Sequence, residues 1–166
     1  MIKDLITKNR SYRRFYENEA ISLETLKELV DLARLSPSAA NKQPLKYMLS
    51  CKPERNAVIF KHLAWAGYLK GWGGPVEGEK PAAYIIILGD TKISKAFNWD
   101  AGIAAQSILL GAVEKGLGGC TIASIQKDNL QAALNIPLHL EIVLVLAIGK
   151  PKEKVVIEKI GEDGKI

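Results

Sequence analysis

The sequence predicts an α+β sandwich built around a mixed or mostly antiparallel sheet, and three observations carry that reading. Helical and strand patterns alternate irregularly rather than in a repeating β-α-β rhythm. The runs Ala82–Gly89 and Glu141–Gly149 are too apolar for half-exposed strands and read as central ones. A dinucleotide-binding fingerprint is missing: Gly116-Leu117-Gly118-Gly119 follows a helix, where that motif would follow a first strand.

Taken in order, residues 2–9 read as a short helix leading into an arginine-rich turn. Ser22 is a helix N-cap, and Leu26, Leu29, Val30 and Ala33 then recur at helical spacing up to a stop before Pro37. Leu45–Cys51 reads as a strand. A helix is expected from Arg55 to about Leu69, with Phe60, Leu63 and Ala64 inward. Gly71-Trp72-Gly73-Gly74-Pro75 breaks it. Asp100–Lys115 is a second strong helix. Its Ala101, Gly102, Ala104, Ala105 and Gly111 leave little side-chain bulk, so something packs close to its backbone, in this subunit or across an interface. A glycine turn then leads from Gly116 into a short strand, and Asp128 caps a small helix. The tail, 150–166, is charged and poorly patterned.

With 166 residues the chain makes one domain, 1–166, with a sizeable core. Its 48% hydrophobic and 25% charged residues are those of an ordinary soluble protein. The net charge of +5 fits a solvated basic surface or an anionic small molecule, and no motif supports nucleic-acid binding. The longest apolar run, Ile142–Ile148, falls far short of the ~20 residues needed to cross a bilayer. Cys51 and Cys120 have neither metal-ligand nor redox spacing and read as buried small hydrophobes, reduced in a cytoplasmic setting. His62 and His139 lie near no nucleophile motif, and no metal-binding spacing exists. An enzyme with so few catalytic groups needs a cofactor for the chemistry.

Two stretches suit such a cofactor. Arg10-Ser11-Tyr12-Arg13-Arg14-Phe15 offers guanidinium forks and a hydroxyl for a phosphate and a polar ring edge. Pro37-Ser38-Ala39-Ala40-Asn41-Lys42-Gln43-Pro44 is a polar turn held between prolines. Surface ion pairing is the alternative for Arg13 and Arg14, and turn capping the alternative for Ser38 and Asn41. With Glu79–Ile85, Asp100–Gln106, Gly116–Cys120 and Ala147–Pro151, this ordered set resembles the FMN-dependent nitroreductase family over almost the whole chain.

The resemblance implies an α/β/α sandwich around a mixed, mostly antiparallel sheet, and a homodimer with FMN at the subunit interface. Arg10, Ser11 and Arg13 would hold the phosphate, ribityl chain and pyrimidine edge. Pro37, Ser38, Ala39, Asn41 and Gln43 would come from the other subunit, and backbone groups near Ala123 and Ser124 would line the flavin. A cation ~4 Å from the reduced ring edge would contribute about 4 kcal/mol before desolvation, at an effective dielectric near 20. Trp72 would form a lid or wall for the substrate, or else plug its loop into the core; Tyr68 is a second candidate. The implied activity is ping-pong hydride transfer from NAD(P)H to a nitroaromatic, quinone or related conjugated acceptor. A flavin-binding or storage protein with little turnover is the alternative. Two departures stand out. Where many members of the family carry an Asn or Lys at the flavin's pyrimidine edge, this chain has Trp72-Gly73-Gly74-Pro75-Val76-Glu77, with no cation at hand except Lys70 or Lys80. The family also continues beyond this C-terminus to supply a cation to the phosphate, where only Lys159 and Lys165 stand here, so either the chain is C-terminally incomplete or FMN binds more weakly and is lost on purification.

Overall fold

The architecture follows from two strands that are apolar on both faces. A computed structural model describes residues 1–161 and 164. β2 (Ala83–Asp90) is buried along its whole length, and β4 (Leu140–Gly149) is buried over most of its C-terminal half. Such strands need cover on both sides and neighbours at both edges. β1 (Leu45–Ser50) and β3 (Gly118–Ile122) supply the edges, giving the order β1-β2-β4-β3. All three pairings are antiparallel, and one parallel bridge, Ser11 to Gly119, adds the N-terminal segment beside β3. The sheet is therefore mixed but mostly antiparallel, as expected.

Helices cover both faces. On one face Ala83, Ile85, Ile87, Leu146 and Ile148 pack against α2 (Leu23–Arg34) and α4 (Asn98–Glu114). On the other, Tyr84, Ile86, Leu88, Val145 and Ala147 pack with Ile59 of α3 (Pro53–Lys61) and Leu130 of α5 (Lys127–Ala133). The result is the expected α/β/α sandwich. Alternating side chains of one strand feed two separate cores. The short α1 (Ile2–Lys8) buries no residue of its own and lies near α4. Among the described residues no helix is long and apolar enough to cross a membrane.

Local sequence accounts for the helix ends. The Ser22 hydroxyl accepts from the Thr25 N–H at 3.0 Å, and Leu26, Leu29 and Ala33 face the core, as their spacing predicts. The expected helix from Arg55 to Leu69 is corrected: α3 stops at Lys61. His62 caps its end, with Nδ1 2.8 Å from the Val58 carbonyl. The chain then pairs outward, Leu63 bridging Ile125 and Ala64 N–H donating to the Ser124 carbonyl at 2.9 Å. Ile59 is thus the buried residue of α3, whereas Phe60 and Leu63 are half-buried and Ala64 exposed. Gln126 rather than Asp128 occupies the cap of α5; Asp128 lies in the first turn, where its charge still favours the helix dipole.

The small residues of α4 divide between two duties. Gly111 lies against Leu32 and Leu29 of α2, with no room for a Cβ, while Ala101, Ala104 and Ala105 are buried in the same core. Close packing within one subunit therefore uses most of them. Gly102 is different: it faces open space beside exposed Trp99 and Ile103.

Candidate functional site

The arginine segment is pinned by its last residue. Phe15 is fully buried, against Gly149, where a Cβ would sit 2.6 Å from its ring. Backbone bonds fix the rest: Tyr12 N–H donates to the Gly119 carbonyl at 3.0 Å, and Phe15 N–H to the Glu79 carbonyl at 3.0 Å. Arg10, Ser11 and Arg13 are thereby held along the free edge of β3. Ala123 and Ser124, both exposed, follow the far end of that strand. Ser11 opposes Gly119, four residues before Ala123, so the two groups stand about 13 Å apart along the strand. That spacing suits an extended ligand.

Each arginine has a different environment. One Arg10 Nη donates to the Ile6 carbonyl at 2.8 Å, but its Nε is buried without a partner. It borders a cavity of about 270 Å³ whose polar wall includes Asn9, Ser11, Gln106 and Thr121. A buried donor beside a polar cavity fits an acceptor-rich group such as phosphate. Arg13 donates to the Ser11 carbonyl at 3.1 Å and lies over the Tyr68 ring, 5.5 Å from its centroid. Its backbone N–H donates to Glu153. Arg14 behaves as the surface alternative expects, pairing with Glu79 at 3.3 Å and Glu153 at 3.6 Å. Burial raises the pKa of the Cys120 thiol, opposed by the nearby Arg13 charge and reinforced by Glu153, so it stays protonated. The reading of Cys120 as a buried small hydrophobe agrees; Cys51 is instead only half-buried, because it lines a surface cavity.

The Pro37–Gln43 segment is organised by a residue that sequence reasoning did not single out. Asp100, in the first turn of α4, is 4% exposed. Its carboxylate accepts from the Ser38 hydroxyl at 2.6 Å and from the Ala39 N–H at 2.9 Å. Ser38 Oγ in turn accepts from Gln43 N–H at 2.9 Å, and the Gln43 amide donates to Asn41 Oδ1 at 2.7 Å. These bonds stabilise a tight fold in which Ala40, Asn41 and Gln43 all have positive φ, near +50°. The capping alternative for Ser38 and Asn41 thus has direct contacts. Pro37, Ser38 and Gln43 also line a cavity of about 190 Å³, with Tyr47 and Asp100 in its wall. The Tyr47 phenol is pushed up to about 12, by burial first and by the Asp100 charge second.

The two segments do not meet in one chain. One leads into β1 and the other lies along β3, the opposite edges of the sheet. Three strand spacings separate those edges, roughly 14 Å. Trp72 is half-buried beside the second core, with Arg14 5.3 Å from its ring centroid, so the plugging alternative also has contacts. Gly74 permits this loop: its φ is +108°, and a Cβ would sit 2.9 Å from Trp65. Tyr68 is the exposed aromatic of the region, at 70%. Lys159 is exposed, whereas Lys165 lies outside the described residues.

The sheet enclosed by helices is the fold of solved proteins of the nitroreductase class. A nitroreductase family protein of Clostridium novyi NT superposes with a TM-score of 0.77 at 25% identity, over 92% of this chain and 87% of that one. A Clostridium difficile R20291 protein, described as an FMN-dependent nitroreductase, gives 0.77 at 23% identity, over 96% and 92%. The family model of the Nitroreductase family matches residues 6–72 and 72–150, and the chain belongs to that family. A relative from Archaeoglobus fulgidus, provisionally named an NADH dehydrogenase/NAD(P)H nitroreductase, is 27% identical over 149 residues, 85% of this chain and 80% of that protein. The family relationship identifies an oxidoreductase.

Proposed function

We propose that this chain is one FMN-binding domain, active as a cytoplasmic homodimer that transfers hydride from NAD(P)H to a nitroaromatic, quinone or related conjugated acceptor by a ping-pong cycle. The observation that carries the reading is Arg10 Nε, a buried donor without a partner beside a polar cavity on the β3 edge. When bound, FMN supplies the hydride chemistry that no protein side chain here can perform.

The chain's own residues bind and orient. Arg10 and Ser11 hold the phosphate and ribityl chain, and Arg13 neutralises charge at the pyrimidine edge of the ring. Backbone groups at Ala123 and Ser124 line the ring from the other end of β3. Pro37, Ser38, Ala39, Asn41 and Gln43 complete the pocket from the partner, with Asp100 holding their loop in shape. Trp72 and Tyr68 border the acceptor. The opposite-edge placement of the two segments favours a second copy over a monomer. So does the uncovered stripe of Trp99, Gly102 and Ile103 on α4, since an exposed Trp–Ile pair on a helix calls for cover.

Anaerobic titration of the FMN-reconstituted protein with NADH and then NADPH tests the activity. Bleaching of the visible flavin absorbance, followed by recovery on adding a nitroaromatic or a quinone, is the expected result. Flavin that stays oxidised under excess reductant overturns the enzyme reading and leaves a binding or storage role.

A further inference from the structure

The arginine segment carries one more cation than the carboxylates beside it pair. Arg14 Nε lies 3.3 Å from one Glu79 oxygen, and Lys152 Nζ lies 3.1 Å from the other. One Arg14 Nη also lies 3.6 Å from Glu153. Two cations thus share two carboxylates, and among the described residues Arg13 pairs with neither. Its guanidinium donates to the Ser11 carbonyl at 3.1 Å and lies over the Tyr68 ring instead.

Glu153 is nevertheless held against Arg13. One of its oxygens accepts from the Arg13 N–H and, at 3.2 Å, from the Arg14 N–H. The backbone keeps it there. Lys152 N–H donates to the Arg14 carbonyl at 2.9 Å, Tyr16 N–H donates to the Lys150 carbonyl at 2.9 Å, and Pro151 bridges Phe15. The Cys120 thiol is raised by burial first, then lowered by the Arg13 charge and raised by that of Glu153, so both charges lie within reach of one sulfur. The Glu79 and Glu153 side chains are only 20% and 22% exposed, so each calls for a counter-charge. Without Arg14, Lys152 alone would face both carboxylates. Arg13, whose own N–H already holds Glu153, is the cation at hand.

We propose that Arg14 is a positioning residue: it occupies Glu153, so that the Arg13 guanidinium stays unpaired for the pyrimidine edge of the flavin. The inference rests on the flavin reading of Arg13 given above. Reduction by hydride adds two electrons and one proton to the ring and leaves one negative charge at that edge. An unpaired guanidinium neutralises that charge better than one already facing a carboxylate. Arg14 itself is 44% exposed, and surface pairs of this kind add little stability, so its removal alters the site and spares the fold.

The test uses the full chain and FMN, and reads the ratio of the Kd values for oxidised and reduced FMN from the midpoint potentials of bound and free flavin. Arg13→Ala sets the scale and should lower the preference for reduced FMN at least about tenfold. Arg14→Ala should lower it about tenfold, or about 30 mV for a two-electron couple. Arg14→Lys keeps the charge and should stay within about threefold of the unaltered protein. In a Glu153→Gln background, Arg14→Ala should have no effect. NMR of the arginine Nε–H groups in FMN-free protein should show the Arg13 signal moving on Arg14→Ala only while Glu153 is present. An unchanged ratio in Arg14→Ala, or an Arg13 signal that does not move, overturns the proposal. So does a fall that persists without the Glu153 charge, because a direct field of Arg14 on the ring, or a loosened Trp72 contact, does not depend on Glu153. If the unaltered chain takes up no FMN, or Arg13→Ala leaves the ratio unchanged, the flavin reading itself fails and the proposal falls with it.

Discussion

The arginine segment and the Pro37–Gln43 loop are both polar, yet they use their polarity in opposite ways. Along β3, Arg10 keeps a buried donor in reserve beside a cavity. Beside β1, Ser38, Asn41 and Gln43 spend their side chains on one another and on Asp100. One region is poised for an acceptor; the other is a preshaped surface whose conformation is already stabilised. A site assembled from both needs little rearrangement of the second, because its positive-φ residues are held before any ligand arrives.

The comparison breaks most decisively if the two regions never meet. Trp99→Glu with Ile103→Glu places charges on the exposed stripe of α4 and spares the core. Light scattering should report a monomer, and FMN affinity, read by flavin fluorescence, should fall at least about 100-fold, or about 2.7 kcal/mol. A dimer of unchanged affinity would remove α4 from the interface. Asp100→Ala attacks the preshaped loop alone. Unpairing the Ser38 hydroxyl and Ala39 N–H should cost about 2–3 kcal/mol in urea unfolding. Asp100→Asn should recover part of that, since its carbonyl oxygen can still accept one bond.

Arg10→Ala sharpens the other side. It should weaken FMN binding about tenfold or more, while leaving unfolding free energy within about 1 kcal/mol of the unaltered protein. An equal loss of stability would make Arg10 a structural residue. The smallest effect is on pH dependence. The Tyr47 phenol lies higher in the folded chain, near 12, than its ordinary value of 10.0, so the folded state holds the proton more tightly. Its stabilising contribution is complete below pH 10 and fades as pH rises towards 12, when the unfolded chain ionises first. Tyr47→Phe should flatten that part of a stability–pH curve.

Elements with strong local signals were legible in the sequence. The Ser22 cap and the Leu26–Ala33 spacing marked α2, and the unbroken apolar run of β2 identified a strand covered on both faces. The family resemblance extended this to the sandwich. What escaped depended on contacts between distant residues. Leu63 and Ala64 suit a continuing helix, yet the bridge to Ile125 draws the chain outward. Asp100 reads as an ordinary first-turn carboxylate until the fold brings Ser38 and Ala39 to it.

β2 carries a liability that the finished structure conceals. Tyr84-Ile85-Ile86-Ile87-Leu88 has high β-propensity, no charge and no proline, the composition of a self-associating segment. Lys80-Pro81 before it and Asp90 after it act as gatekeepers at its ends. Between them, β1 and β4 must cover the strand before another unfolded molecule does. Variants that loosen the sandwich should therefore be lost to aggregation during refolding, in proportion to protein concentration, before their activity can be compared.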